Sequence, residues 1–307
     1  ADAPVGEEGA ITAKEEAPAA ATQAAPRPAK TSRRVPEVDF TQGPPARVRM
    51  GFTKTGRLAY TGHLDLVRLL SRMLRRADLP LYYSVGFHPR PVLSFSPALS
   101  LGIASLGEYV DIKLDGDRFS ETSEQVTARL QGASFDGLRV TGARVLGPHD
   151  RALNRIIDRA TYVAGVPRST LATLGLANAE DLGHLIDRRR AGDLKVRREV
   201  KGIGRTVDVG DYLLNATVDP ADDTLQRAGL VGELVPIRYT LSLTGKGTAK
   251  PTEALEALLG TPEPLARIVR AGLFASLSDG CTHPLDLEPL RRNPSAKDAP
   301  PLAASAE

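Results

Sequence analysis

From Arg47 to Thr53 apolar and polar residues alternate, the period of a strand with one buried face. The period then lengthens. Leu66, Leu69, Leu70, Met73, Leu74 and Ala77 recur at helical spacing and predict a helix over Asp65–Ala77. Leu79–Ser84 and Glu108–Leu114 read as strands. Glu121–Leu130 reads as a helix with Ser120 or Thr122 as its cap, and Leu138–Leu146 as a fourth strand. That order is βαββαβ, the ferredoxin-like arrangement. A Gly147-Pro148 step then breaks the chain. A second, looser cycle follows. Thr161–Val166 predicts a strand, Ser169–Ile186 one helix or two, and Leu194–Val200 with Arg205–Val209 a strand pair. Ile237–Leu243 predicts another strand and Thr252–Leu259 a helix ended by Gly260, before a last strand or helix over Leu265–Phe274. The expectation is an α+β chain of two tandem ferredoxin-like units, over residues 47–148 and 149–278.

Composition sets the limits of the folded part. Residues 1–30 hold eleven Ala and four Pro and no aromatic, too little apolar surface to offset the entropy of ordering. Residues 1–46 are therefore expected to be a disordered tail or linker, and residues 279–307 a flexible C-terminal tail. The first residue is Ala, as in a processed chain or a piece of a longer one. Without the two tails, 32 basic and 25 acidic side chains remain, a net charge of +7 against +3 for the whole chain. That excess favours an anionic partner, although an ordinary solvated surface could carry it. No run of eighteen apolar residues and no signal pattern is present. The single cysteine, Cys281, cannot form an internal disulfide, a four-thiolate zinc site or an iron–sulfur cluster. A cytoplasmic location is expected. The five His show no zinc-ligand spacing, so no metal site is expected.

Several residues could carry chemistry. Arg68, Arg72, Arg75 and Arg76 fall at i, i+4, i+7 and i+8, on the helix face opposite the apolar stripe. Such a row could follow a phosphate backbone, or could be a solvated face. His63 precedes the helix, with Asp65 two residues on, a pair able to act as general base and orienting carboxylate or simply to serve the helix entrance. In Ser84-Val-Gly-Phe-His-Pro-Arg-Pro91 two prolines flank Arg90. The loop presents Phe87, His88 and Arg90 as a platform for stacking and phosphate contact, or forms a buried crossover. The strip from Asp187 to Arg205 holds eight basic and three acidic residues, Arg197 among them, and predicts a second basic surface. Asp208, in Arg-Thr-Val-Asp-Val-Gly, is a weak nucleophile candidate; pairing with a neighbouring Arg is the alternative. Leu101-Gly-Ile-Ala-Ser-Leu-Gly107 fits no nucleotide-binding fingerprint.

Taken together, Phe52-Thr-Lys-Thr-Gly56, His63-Leu-Asp65, Arg75-Arg76-Ala77, Leu79-Pro80-Leu81 and Gly86-Phe-x-Pro-x-Pro91 resemble the radical-SAM-linked domain family of unknown function. Leu93-Ser-Phe95, Leu101-Gly102 and Glu108-Tyr-x-Asp111 extend the resemblance. It continues more loosely through Ala160-Thr-Tyr162, Val207-Asp208, Tyr212-Leu213, Glu253–Gly260 and Arg267–Leu273. His88 departs from it, since many members carry Asn there, which argues against an obligate base at that position. The resemblance implies an accessory domain, fused to or encoded beside a cobalamin-binding radical SAM enzyme. S-adenosylmethionine, an iron–sulfur cluster and cobalamin would then belong to that partner, with no cofactor in this chain. The three-cysteine cluster motif of such enzymes is not in this sequence. A basic pair of ferredoxin-like units beside a modifying enzyme suggests an RNA substrate presented to the partner, with Arg68, Arg72, Arg75, Arg76 and Arg90 on phosphate and Phe87 stacking. The alternatives are an RNA-processing or RNA-modifying enzyme using His63 with Asp65 or Asp208, and a docking module for the partner protein.

Overall fold

A computed structural model describes residues 41–200, 202–243, 247–262, 267–278 and 280–287. Most of both expected tails lies outside these residues. The first half runs β1 (Pro45–Lys54), a 3-10 turn (Gly56–Tyr60), α1 (His63–Arg76), β2 (Leu93–Phe95), β3 (Ala104–Asp115), α2 (Ser123–Gly132) and β4 (Val140–Leu146). The second runs α3 (Leu153–Ile156), β5 (Arg159–Pro167), α4 (Arg168–Thr173), α5 (Ala179–Arg190), β6 (Lys195–Val200), β7 (Ile203–Asp208), β8 (Leu213–Val218), α6 (Thr224–Arg227), β9 (Leu234–Ser242), α7 (Pro251–Leu259), β10 (Arg267–Leu277) and β11 (Gly280–Thr282). The chain is α+β, and its helices pack on a large mixed sheet.

The strand order explains how the halves join. The first half is antiparallel in the order β4-β1-β3, with β2 on the far part of β3, and the second is antiparallel in the order β10-β5-β9-β8. In each, the first strand lies between the last and the third. A short parallel pairing, Val269 with Ala104 and Arg270 with Ser105, fuses β10 to β3 and makes one nine-stranded sheet. The β6–β7 hairpin stands apart as a two-stranded sheet.

Each half has its own core. Val48, Met50 and Phe52 of β1 meet Leu70, Met73 and Leu74 of α1 and Val126 and Leu130 of α2. Tyr162, Tyr239 and Ile237 meet Leu182 and Ile186 of α5 and Leu255 and Leu258 of α7. Thr122 caps α2, accepting from the Gln125 N–H at 3.3 Å while the Gln125 side chain returns to the Thr122 N–H, and Gly260 ends α7 in the left-handed region at φ +77°.

Two expectations are corrected, and one open alternative is settled. Leu79–Ser84 forms no regular strand. Leu81 and Tyr83 make single bridges to Leu114 and Pro91, because Pro80, Pro89 and Pro91 supply no N–H for a ladder, and Leu93–Phe95 takes the place beside β3. Of Leu265–Phe274, read as strand or helix, the described part is a strand over Arg267–Leu277, and Leu265 and Ala266 lie outside the described residues. Residues 280–287, read as part of the C-terminal tail, pack on the sheet. Gly280–Thr282 pairs with β10, the Pro284 carbonyl accepts from Arg49, and Leu285 lies over Gly51 and Gly142. That segment covers the face of β1 that the alternation left open. Arg49 is consequently buried, and it pairs with Asp111 through two hydrogen bonds of 2.7 and 3.0 Å. Among the described residues no helix is long and apolar enough to cross a membrane.

Candidate functional site

The basic face of α1 forms as the helical spacing requires, but its four arginines have different surroundings. Arg68 is held by Asp65 at 2.9 Å, both side chains well exposed. Arg75 Nε donates to the Tyr83 hydroxyl at 3.4 Å, and Arg76 donates to the Ala133 carbonyl at the end of α2. Arg72 is exposed and has no partner among the described residues. Exposed ion pairs such as Arg68–Asp65 are weak, so that guanidinium remains open to competition.

The loop after α1 is a closed projection and not a buried crossover. Its neck is tied by the Tyr83–Pro91 bridge, by the Ser84 N–H to the Arg90 carbonyl at 2.9 Å, and by the Arg90 N–H to the Ser84 hydroxyl at 3.1 Å. Gln42 clamps Tyr83 from the other side with bonds of 2.6 and 3.0 Å. Gly86, at φ +138°, makes the turn that throws the tip outward. Val85 is 98% and Phe87 90% exposed, and the His88 and Arg90 side chains have no partner among the described residues.

Arg198 turns inward and donates to Glu253 at 2.6 Å, and Lys195 and Arg197 are exposed on the opposite face of the hairpin; Arg205, opposite Arg198 in the register, is exposed on the same face as Arg198. Arg197 lies across Gly204, where a Cβ would stand 2.9 Å from its Nε. Asp208 accepts from the Gly210 N–H at 3.0 Å and caps a 3-10 turn. Its bond is to backbone and not to an arginine. His63 and Asp65 share no hydrogen bond. Asp65 faces Arg68, and the His63 ring stands edge-on to Phe95 at 5.0 Å.

A constellation that the sequence did not single out lies beside His63. A small cavity, about 100 Å³, opens between the start of α1, β2 and β3, and Lys54, His63, Ser96 and Glu108 line it. Glu108 is bound by Arg270 of β10, Nε at 2.8 Å, and the guanidinium is 1% exposed. Lys54 is 3% exposed, and its ammonium donates to the carbonyls of Thr61 at 2.9 Å and Ala59 at 3.4 Å. Burial pushes the Lys54 amine below its usual value, Glu108 opposing and Arg270 adding to the effect. Lys54 and Glu108 sit in segments quoted for their resemblance, and only the fold shows that they meet. The expected strand stops at Thr53; carried one residue further, its alternation puts Lys54 on the face of Phe52, and a Lys on an apolar face was the available signal. Among the described residues no group of three or more His, Cys, Asp or Glu could hold a metal ion.

No curated protein matches the chain. Residues 47–251, more than half of it, match DUF2344, described as an uncharacterized protein conserved in bacteria. These residues contain both basic surfaces, the projecting loop and all of the cavity lining, while Arg270, which neutralises Glu108 from behind the wall, lies beyond them. The chain therefore belongs to the DUF2344 family.

Proposed function

We propose that the protein is an accessory RNA-recognising domain of a radical SAM system, built from two ferredoxin-like halves. The repeated strand order supports the architecture, and the resemblance of the sequence supports the enzymatic partner, which would hold the S-adenosylmethionine, iron–sulfur cluster and cobalamin. The observation that carries RNA recognition is the clamped loop. Phe87 stands 90% exposed with the unpaired side chains of His88 and Arg90 on either side of Pro89. An exposed aromatic on a rigid loop offers a base a stacking surface with little ordering cost, and guanidinium groups supply phosphate contacts. Arg75 ties the helix to the base of this loop through Tyr83, so the arginine face of α1 and the stacking tip belong to one surface. Arg197 on one face of the hairpin and Arg205 on the other add exposed basic groups.

The test is crosslinking of the full chain to total cellular RNA, with Arg72→Glu/Arg75→Glu as control. Specific RNA is expected to be enriched, to be lost in the double variant, and to be released steeply with salt. No enrichment over an equally basic protein would overturn the reading. A second reading has its own observation: Val85 is as exposed as Phe87, and two apolar side chains at a loop tip also suit a pocket on the partner protein. Co-purification with the enzyme that survives nuclease treatment and fails in Phe87→Asp would favour docking.

A further inference from the structure

We propose that the cavity beside Lys54 binds a small monocarboxylate. Glu108 and Arg270 neutralise one another, which leaves the Lys54 ammonium as the surplus. Its two acceptors are neutral carbonyls, and among the described residues no carboxylate oxygen lies within 4.0 Å of it. A buried cation without a counterion is costly, and the cavity opens beside it. An ammonium has three N–H donors, so one remains unspent.

The rest of the lining also donates. Ser96 Oγ accepts from the Tyr109 N–H at 3.2 Å, which leaves its hydroxyl hydrogen free. The His63 ring has no hydrogen-bond partner among the described residues. Thr61, Gly62 and His63 bring the start of α1 to the wall, and Gly62 provides no side-chain cap, so the first-turn N–H groups add positive potential. The acceptors in the wall are already engaged, Glu108 by Arg270 and the Thr61 carbonyl by Lys54. A donor-lined cavity with one surplus positive charge fits a monoanion. Its volume equals about three waters, room for a carboxylate with a short stem. Leu66, Phe95 and Leu99 form apolar walls, and Leu101 stands 67% exposed at the rim, with Tyr60 against neighbouring Gly102. A phosphate dianion would bring a second negative charge with no surplus cation left to meet it.

The test is a ¹⁵N–¹H titration of the full chain with acetate, butyrate and inorganic phosphate. Butyrate is expected to shift the amides of Lys54, Thr61, His63 and Ser96 saturably and more tightly than acetate, with phosphate ineffective there. Leu101→Asp, at an exposed position, is expected to weaken butyrate about fivefold by placing a like charge at the mouth. Lys54→Met is expected to abolish the shifts. If that variant does not fold, Leu101→Asp and Ser96→Ala decide. Phosphate binding as well as butyrate, shifts centred instead on the cavity beside Arg151 and Arg155, or unchanged affinity in Leu101→Asp would overturn the proposal.

Discussion

Three buried or half-buried guanidiniums, Arg49, Arg198 and Arg270, each clamp a carboxylate with two nitrogens, and each fixes a different part of the molecule. Planar fork-to-fork bonding holds orientation as well as distance, which a lysine would not do. Arg198–Glu253 is the clamp that anchors the hairpin to α7. Burial alone raises the Glu253 carboxyl, but hydrogen bonds from Arg198 and the Lys250 N–H, with both positive charges, hold it below the usual range. A carboxyl depressed in the folded state contributes stability above its unfolded pKa of about 4.3 and loses it as pH falls through the lower folded value. Glu253→Gln should therefore be less stable than the parent at pH 7, and the gap should close as pH falls below about 4.3 in urea titrations. A gap constant with pH would show that packing, not charge, is lost.

At the scale of elements, the seam between β3 and β10 depends on two glycines. A Cβ on Gly107 would stand 3.0 Å from the Gly272 Cα and 3.4 Å from the Ala271 carbonyl oxygen. Backbone cannot move aside as the end of a side chain can, so the close approach requires glycine there. The same seam carries the Arg270–Glu108 pair, and separating the strands would leave both charges buried and unpaired, a cost of about 3–5 kcal/mol. Gly107→Val should therefore lower stability by several kcal/mol, whereas Gly132→Ala, with open space around its Cβ, should change it little. Equal melting temperatures for the two variants would refute this account. The helices were the easier elements to read. The Leu66–Ala77 stripe and the Gly260 stop lie on elements whose own residues set their period and ends. The β2 region was harder, because its prolines shift regular pairing from the expected 79–84 to 93–95.

Over the whole molecule, one continuous sheet and an ion pair across its middle couple the two cores. A small cluster at the junction adds to this, Val163 and Val269 packing with Ala59 and Ala104. The halves should then open together. Hydrogen exchange is expected to show the slowest amides of β1 and β5 opening with the same free energy, that of global unfolding. Loss of protection in β5 several kcal/mol below β1 would make the halves independent folding units.

Local pattern alone determined most helices and strands, the basic face of α1 and the Gly260 stop, because each depends on neighbours a few residues away; it left open whether Ser120 or Thr122 caps α2 and whether the proline-flanked loop projects or is buried. The partners of charged residues were another matter. That Arg49 meets Asp111, that Arg198 reaches Glu253, and that residues 280–287 cover β1 depend on which strands and helices lie side by side. The cavity is the clearest case. Lys54, Ser96, Glu108 and Arg270 are separated by up to 216 positions, and a charge becomes buried and unpaired only when four distant segments close around it. Periodicity reports which face of a strand is inside, and the tertiary structure alone decides what it meets there.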